Sequence, residues 1–277
     1  MPGYMGKLLH VDLSAGSWRD EPLRADYARQ FLGGSGLAAR YLYDLLDPSV
    51  DPLGPDNPLV FMTGPLVGTA APSCGRFEVC ARSPLTQRWG EGNAGGFWGP
   101  ELKAAGYDGI IIRGAAAAPV YLHIQEGRVE LRDAGDLWGR DFYATQDALR
   151  ARLGDKTRIA AIGPAGEKRS PLAMVMNDHG RCAGRGGMGA VMGAKKLKAI
   201  AVRGSQKPAL AHPNEFATAA KAALQVVRDD IAPQMLRLGG TAFYMDLGMV
   251  EGDVPSRYFT QGYFEGAEKL SGSMMSD

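Results

Sequence analysis

Residues 181–204, RCAGRGGMGAVMGAKKLKAIAVRG, repeat the pattern of residues 89–114, WGEGNAGGFWGPELKAAGYDGIIIRG. Each stretch runs from paired glycines through a helix-compatible segment into a β-branched strand that closes on Arg-Gly. Other short words return in the same order. Leu9-His10-Val11 recurs as Leu122-His123-Ile124, Gly64-Pro65 as Gly163-Pro164, Gly95-Gly96 as Gly186-Gly187, and Arg113-Gly114 as Arg203-Gly204. The offsets of 113, 99, 91 and 90 shrink steadily, as they should if the second copy has shorter loops. This pattern predicts an α+β fold built by duplication, two packed halves that each deliver a glycine-rich loop.

Working outward, GKLLHVDLSAGSWRDEPL predicts two strands around a Ser-Ala-Gly-Ser turn, and ADYARQFLGGSGLAARYLYDLL predicts two helices parted by glycines. NPLVFMTGP is a continuous apolar run closed by Gly-Pro, the mark of a buried strand. RFEVCARSP alternates, with Phe77, Val79 and Ala81 on one face and Arg76, Glu78, Cys80 and Arg82 on the other. After Gly204 the texture changes to a linker, SQKPALAHP, followed by NEFATAAKAALQVVRDDI with an Asn cap and helical spacing. Residues 1–207 are thus expected to form one domain, and 208–277 an incomplete helical segment.

Composition excludes more than it assigns. A net charge of +1 leaves no electrostatic footprint for nucleic acid or an anionic membrane, and no apolar run approaches a membrane span. The N-terminus lacks the charged start and apolar core of a signal peptide, so a cytoplasmic protein is expected. Cys74, Cys80 and Cys182 are odd in number and widely spread, which argues against a disulfide framework. The 38 glycines are about twice the usual ~7% share, and they cluster.

Glycine lets a flat or charged ligand touch the main chain, and amides at a helix start attract anions. Arg181 and Arg185 offer planar forks suited to phosphate, and Arg76 could serve the first loop in the same way. The plain alternative is that the glycines make tight turns and the arginines are surface charges. Two matching loops with arginines nearby favour a ligand site between the halves. On that reading, valine at Gly95 or Gly186 blocks the ligand more than the fold. Gly184 to Gly189 fits G-x-G-x-x-G literally, but MNDHGRCA before it is no hydrophobic strand and no acidic residue follows at ribose distance. No Lys-Ser or Lys-Thr follows a glycine loop, which removes the P-loop. His179 and Cys182 have an H-x-x-C spacing without a third partner. Asp178, Glu91 and His179 lie near the loops, with no role beyond hydrogen bonding, so no catalytic residue is assigned.

The segments GKLLHVDLSAG, FLGGSGLAARYL, NPLVFMTGPLVGT, GRFEVCARSPLT, NAGGFWGPELKAAGYDGIIIRG and RCAGRGGMGAVMGAKKLKAIAVRG together resemble the N-terminal domain of the tungsten-containing aldehyde ferredoxin oxidoreductases. The resemblance runs from residue 5 to about 207. It implies two β-sheets related by a pseudo-twofold, followed by the start of an α-helical domain. On that base would lie a tungsten (or molybdenum) held by the dithiolenes of two pterins, soft sulfur that the protein need not supply. A magnesium ion would bridge the pterin phosphates, with the main-chain carbonyls of Asn93 and Ala183 as ligands. By the same matching, Arg76, Asn93, Ala94, Gly95, Gly96, Arg181, Cys182, Ala183, Gly184, Arg185, Gly186 and Gly187 line the cofactor.

Members of that family are roughly twice this length. Their further helical domains carry a C-x-x-C-x-x-x-C motif for a 4Fe-4S cluster, for which this chain has no ligands. The resemblance therefore implies part of an enzyme converting aldehydes to carboxylates, inactive alone. Its partners would be a C-terminal half or separate subunit and ferredoxin (or another iron-sulfur electron acceptor). A homodimer stays open. Two alternatives also remain: a non-catalytic pterin-binding module, and a phosphate-ligand enzyme with a nucleotide substrate.

Overall fold

The computed structural model describes residues 1–276. It divides into two compact units, Met1–Pro213 and the segment from Asn214 onward.

The first unit holds both repeats. The first comprises β1 (Lys7–Asp12), β2 (Ser17–Pro22), α1 (Ala25–Phe31), α2 (Gly34–Leu45), β3 (Leu59–Met62), β4 (Phe77–Arg82), β5 (Trp89–Ala94), α3 (Trp98–Ala104) and β6 (Gly109–Arg113). The second comprises β7 (Val120–Gln125), β8 (Arg128–Asp133), α4 (Phe142–Leu153), β9 (Arg158–Ala161), α5 (Pro164–Glu167), β10 (Val175–Asn177), β11 (Arg181–Ala183), α6 (Met188–Ala194) and β12 (Leu197–Arg203). One six-stranded sheet runs β2-β1-β6-β3-β4-β5, the other β8-β7-β12-β9-β10-β11. The second order is the first with every strand advanced by six. Even the single parallel contact recurs, β1 with β6 and β7 with β12. The duplication read from short sequence words is therefore complete at the level of topology.

The first hairpin turns where Asp12 Oδ1 accepts the amides of Ser14 (2.9 Å) and Ala15 (3.0 Å), closing the expected loop. Alternation along each strand then sets the layers. Leu9, Val11, Phe61, Ile110 and Ile112 of one sheet share a core with Leu122, Ile124, Ile200 and Val202 of the other. Trp98 and Leu102 of α3, with Met188, Val191 and Met192 of α6, belong to that same core. On the outer face of the first sheet, Leu8, Val60, Met62 and Cys80 pack under α1 and α2. Phe142 and Leu149 of α4 cover the second sheet in the same way.

The equivalent edge strands β5 and β11 meet each other. A Cβ on Gly92 would lie 3.0 Å from the Ala183 main chain, so any larger residue would crowd this crossing. Contact between equivalent strands places the pseudo-twofold axis between them, as in any isologous interface.

Three lysines are fully buried. Lys103 pairs with Asp108 at 3.4 Å and Lys198 with Glu167 at 2.5 Å. Lys195, from the pair that follows the second loop, donates to the carbonyls of Pro55 (2.9 Å) and Gly114 (3.1 Å) in the opposite half. It ties the halves together.

The second unit contains α7 (Pro213–Asp229, beginning at the last residue of the first unit), α8 (Ile231–Gly239), α9 (Tyr244–Glu251) and α10 (Gly272–Ser276). Asn214, expected as the cap of the first of these helices, lies inside its first turn. Leu236, Leu238, Tyr258 and Phe259 are exposed, whereas Phe243 and Met245 are half-buried. Among the described residues no helix is long and apolar enough to cross a membrane.

Candidate functional site: a cradle between the glycine loops

The axis where β5 meets β11 also gathers the glycine loops and their arginines. Residues 95–97 join β5 to α3, and residues 184–187 join β11 to α6. Counted from the strand ends, Gly184 is therefore the counterpart of Gly95. The pairing of Gly95-Gly96 with Gly186-Gly187 therefore slips by two residues counted from the strand ends and by one counted from the helix starts, the difference being the one additional residue of the second loop.

Arg76 stands one residue before β4 and reaches across to β5. Its Nε donates to Asn93 Oδ1, and a second guanidinium nitrogen lies 3.4 Å from the Asn93 carbonyl. The Asn93 amide in turn donates to Glu78 Oε1. Glu78 is half-buried, and burial pushes its carboxyl above the ordinary range despite the Asn93 hydrogen bond. Its other oxygen has no partner among the described residues. These three residues share a groove of about 350 Å³ with Gly33, Gly34, Gly64 and Cys74. In the sequence Glu78 shows only as part of the outward face of an alternating strand. Its position two residues from Arg76 on that face was the available signal.

Gly95 marks the meeting point of the two repeats' cations. A Cβ there would lie 3.3 Å from one Arg76 terminal nitrogen and 3.6 Å from the Arg181 Nη1. Two guanidinium groups thus converge over bare backbone. Arg181 and Arg185 are exposed, and their side chains make no hydrogen bond or ion pair among the described residues. Asn93 and Ala183 are brought close by the strand crossing, since Ala183 abuts Gly92. Ala94 and Ala183 are buried, while Cys182 is half-buried in β11 beside Arg181.

The mouth of α3 does not behave as the motif suggested. Both leading amides of α3 are taken by a side chain from the other repeat: Asp178 Oδ2 accepts from Phe97 at 2.6 Å and Trp98 at 3.1 Å. The anion-attracting end of that helix is filled by the protein's own carboxylate, so a ligand's negative charge would fall to the arginines. Gly186 and Gly187 have φ of 70° and 74°, left-handed values that shape the turn into α6. The residues MNDHGRCA, no hydrophobic strand by sequence, form most of the short β10–β11 hairpin of mixed polarity. Within it His179 lies 3.2 Å from Arg150, not against Cys182.

At Gly95 two guanidinium groups converge over bare backbone, Arg76 held by Asn93 and Arg181 with no side-chain partner among the described residues, in a space that a single methyl would fill; such an arrangement suits an anion. Comparison with known proteins gives the family. The family model for the aldehyde ferredoxin oxidoreductase N-terminal domain matches residues 8–204. The tungsten-containing aldehyde ferredoxin oxidoreductase of Pyrococcus abyssi is 44% identical over all of this chain, which covers 46% of that relative. The aliphatic sulfonate oxidoreductase WOR-like subunit of Pyrococcus furiosus is 38% identical over 74% of this chain and 35% of its own length. Among solved structures, the active-site complex BamBC of benzoyl coenzyme A reductase with 1,5-dienoyl-CoA superposes with a TM-score of 0.87 at 33% identity. That match covers 99% of this chain and 44% of the other.

Proposed function

The chain belongs to the aldehyde ferredoxin oxidoreductase family, and from that premise we propose that its first unit is the base on which a tungsten bis-pterin cofactor sits. The chain spans about half the length of the curated relatives it matches, so the activity proposed is that of a larger whole. That activity is oxidation of an aldehyde with water to a carboxylate, two electrons leaving for ferredoxin through an iron-sulfur cluster held outside this chain. The cofactor supplies a metal that changes oxidation state in two-electron steps. The protein described here supplies position and charge. Arg76 and Arg181 would hold the pterin phosphates over Gly95, with Arg185 at the rim. The main-chain carbonyls of Asn93 and Ala183 would serve as hard oxygen ligands for a magnesium ion at the phosphates. Relatives with this base carry names for aldehyde, sulfonate and benzoyl-CoA chemistry, which argues that substrate choice lies elsewhere.

The observation that carries the reading is the convergence of Arg76 and Arg181 from different repeats over Gly95. Arg76→Ala and Arg181→Ala, in protein purified from cells supplied with tungstate, should each lower bound tungsten and releasable pterin. A charge-assisted hydrogen bond is worth ~1.5–3 kcal/mol, enough to cut retention about tenfold or more. Unchanged metal and pterin in both variants would refute the assignment.

A further inference from the structure

We propose that Asn177 and Asp178 are positioning residues that hold the first repeat's glycine loop from the second repeat, so that the anion cradle exists only when the halves are docked. The inference rests on the reading of Arg76 and Arg181 as anion ligands.

Asn177 Nδ2 donates to the Gly95 carbonyl at 2.8 Å and to Asp178 Oδ2 at 2.9 Å. Asp178 Oδ2 accepts the amides of Phe97 and Trp98, and Oδ1 lies 3.3 Å from Arg158. Three of the four residues from Gly95 to Trp98 are therefore fixed by two side chains 80 to 82 positions away. Both side chains are buried, Asn177 completely and Asp178 with 6% exposed. A Cβ on the remaining residue, Gly96, would sit 2.6 Å from Asp178 Oδ2, so glycine admits the carboxylate at that range. Asp178 and His179 have φ of 42° and 56°, a backbone that non-glycine residues keep only where the surroundings dictate it. The hold is reciprocal. Ser83 of the first repeat donates its hydroxyl to the Gly186 carbonyl of the second loop at 2.7 Å.

Charge alone makes the opposite prediction. A carboxylate beside two guanidinium groups repels an incoming anion, so deleting it should tighten binding unless its geometry matters more.

The test is a calorimetric titration of the full chain with inorganic phosphate. Asp178→Ala should weaken phosphate binding about tenfold, the scale of lost preorganisation, while Asp178→Asn, which keeps an acceptor for Phe97 and Trp98, should restore it. Should Asp178→Ala not fold, Asp178→Ser carries the same expectation. Tighter binding in both the Ala and Asn variants, or equal loss in both, would overturn the proposal. Weakening in Arg76→Ala and Arg181→Ala with none in Asp178→Ala would overturn the brace and leave the cradle standing. Phosphate binding indifferent to both arginines would overturn the cradle and the brace together.

Discussion

Burial disfavours the charged forms of both Glu78 and Lys195, with opposite consequences for pH. Burial raises the Glu78 carboxyl above its ordinary 4.5, and one of its oxygens is unpaired. Its contribution to stability is complete below about pH 4.5 and is lost as pH rises through the folded value. Glu78→Gln should therefore gain stability over the wild type at pH 7 and none at pH 4, read from urea midpoints. An equal gain at both values would dismiss the assignment. Lys195 is pushed down to about 8 by burial from its ordinary 10.5. Between those values the unfolded chain keeps a proton that the fold has released, so stability rises with pH across that window. Lys195→Met lacks this slope. The stability difference, wild type minus variant, should grow from pH 8 to pH 10, and a flat difference would show that the amine titrates normally.

The two glycine loops answer differently to a methyl group, although the sequence presents them as a matched pair. At Gly95 the space is limited by the flexible ends of Arg76 and Arg181, and φ is not left-handed. Gly95→Ala should leave the thermal midpoint nearly unchanged and weaken phosphate binding. Gly186 has φ of 70°, so alanine there should cost roughly 1–2 kcal/mol of stability before any ligand is considered. A stable Gly186→Ala with impaired phosphate binding would restore the symmetric reading, in which a side chain at either glycine blocks the ligand first. What the sequence reveals of these elements follows their physics. Strong alternation and apolar runs marked β1, β3, β4 and the strands ending in Arg-Gly, because each buries at least one face. The β10–β11 hairpin escaped because three-residue strands of mixed polarity carry no period. The plug at the mouth of α3 was illegible for another reason: Asp178 acts on amides about 80 positions away, and spacing encodes only local partners.

At the scale of the molecule, burial is unevenly divided between the two units. In the first, strands such as β3 and β12 are buried almost throughout and share one core across both repeats. In the second, α8 has no buried residue, α7 has only Ala220 and α9 only Gly248. Helices this short draw their stability from packing an apolar face, since propensity alone leaves them marginal in water. Val250, Leu238, Tyr258 and Phe259 are more than three-quarters exposed, a density of apolar surface that usually accompanies a partner. Local opening free energy should follow the same division. Hydrogen exchange on the chain alone should find the amides of β1, β3, β6, β9 and β12 protected together, at the free energy of global unfolding. Amides of α8 and α9 should exchange orders of magnitude faster, through local opening. Adding urea sharpens the contrast, because local opening exposes little surface and depends weakly on denaturant, whereas global unfolding depends steeply. If α8 and α9 exchange as slowly as the β12 strand and with the same urea dependence, the helices are stabilised without a partner and the division of burial does not govern stability.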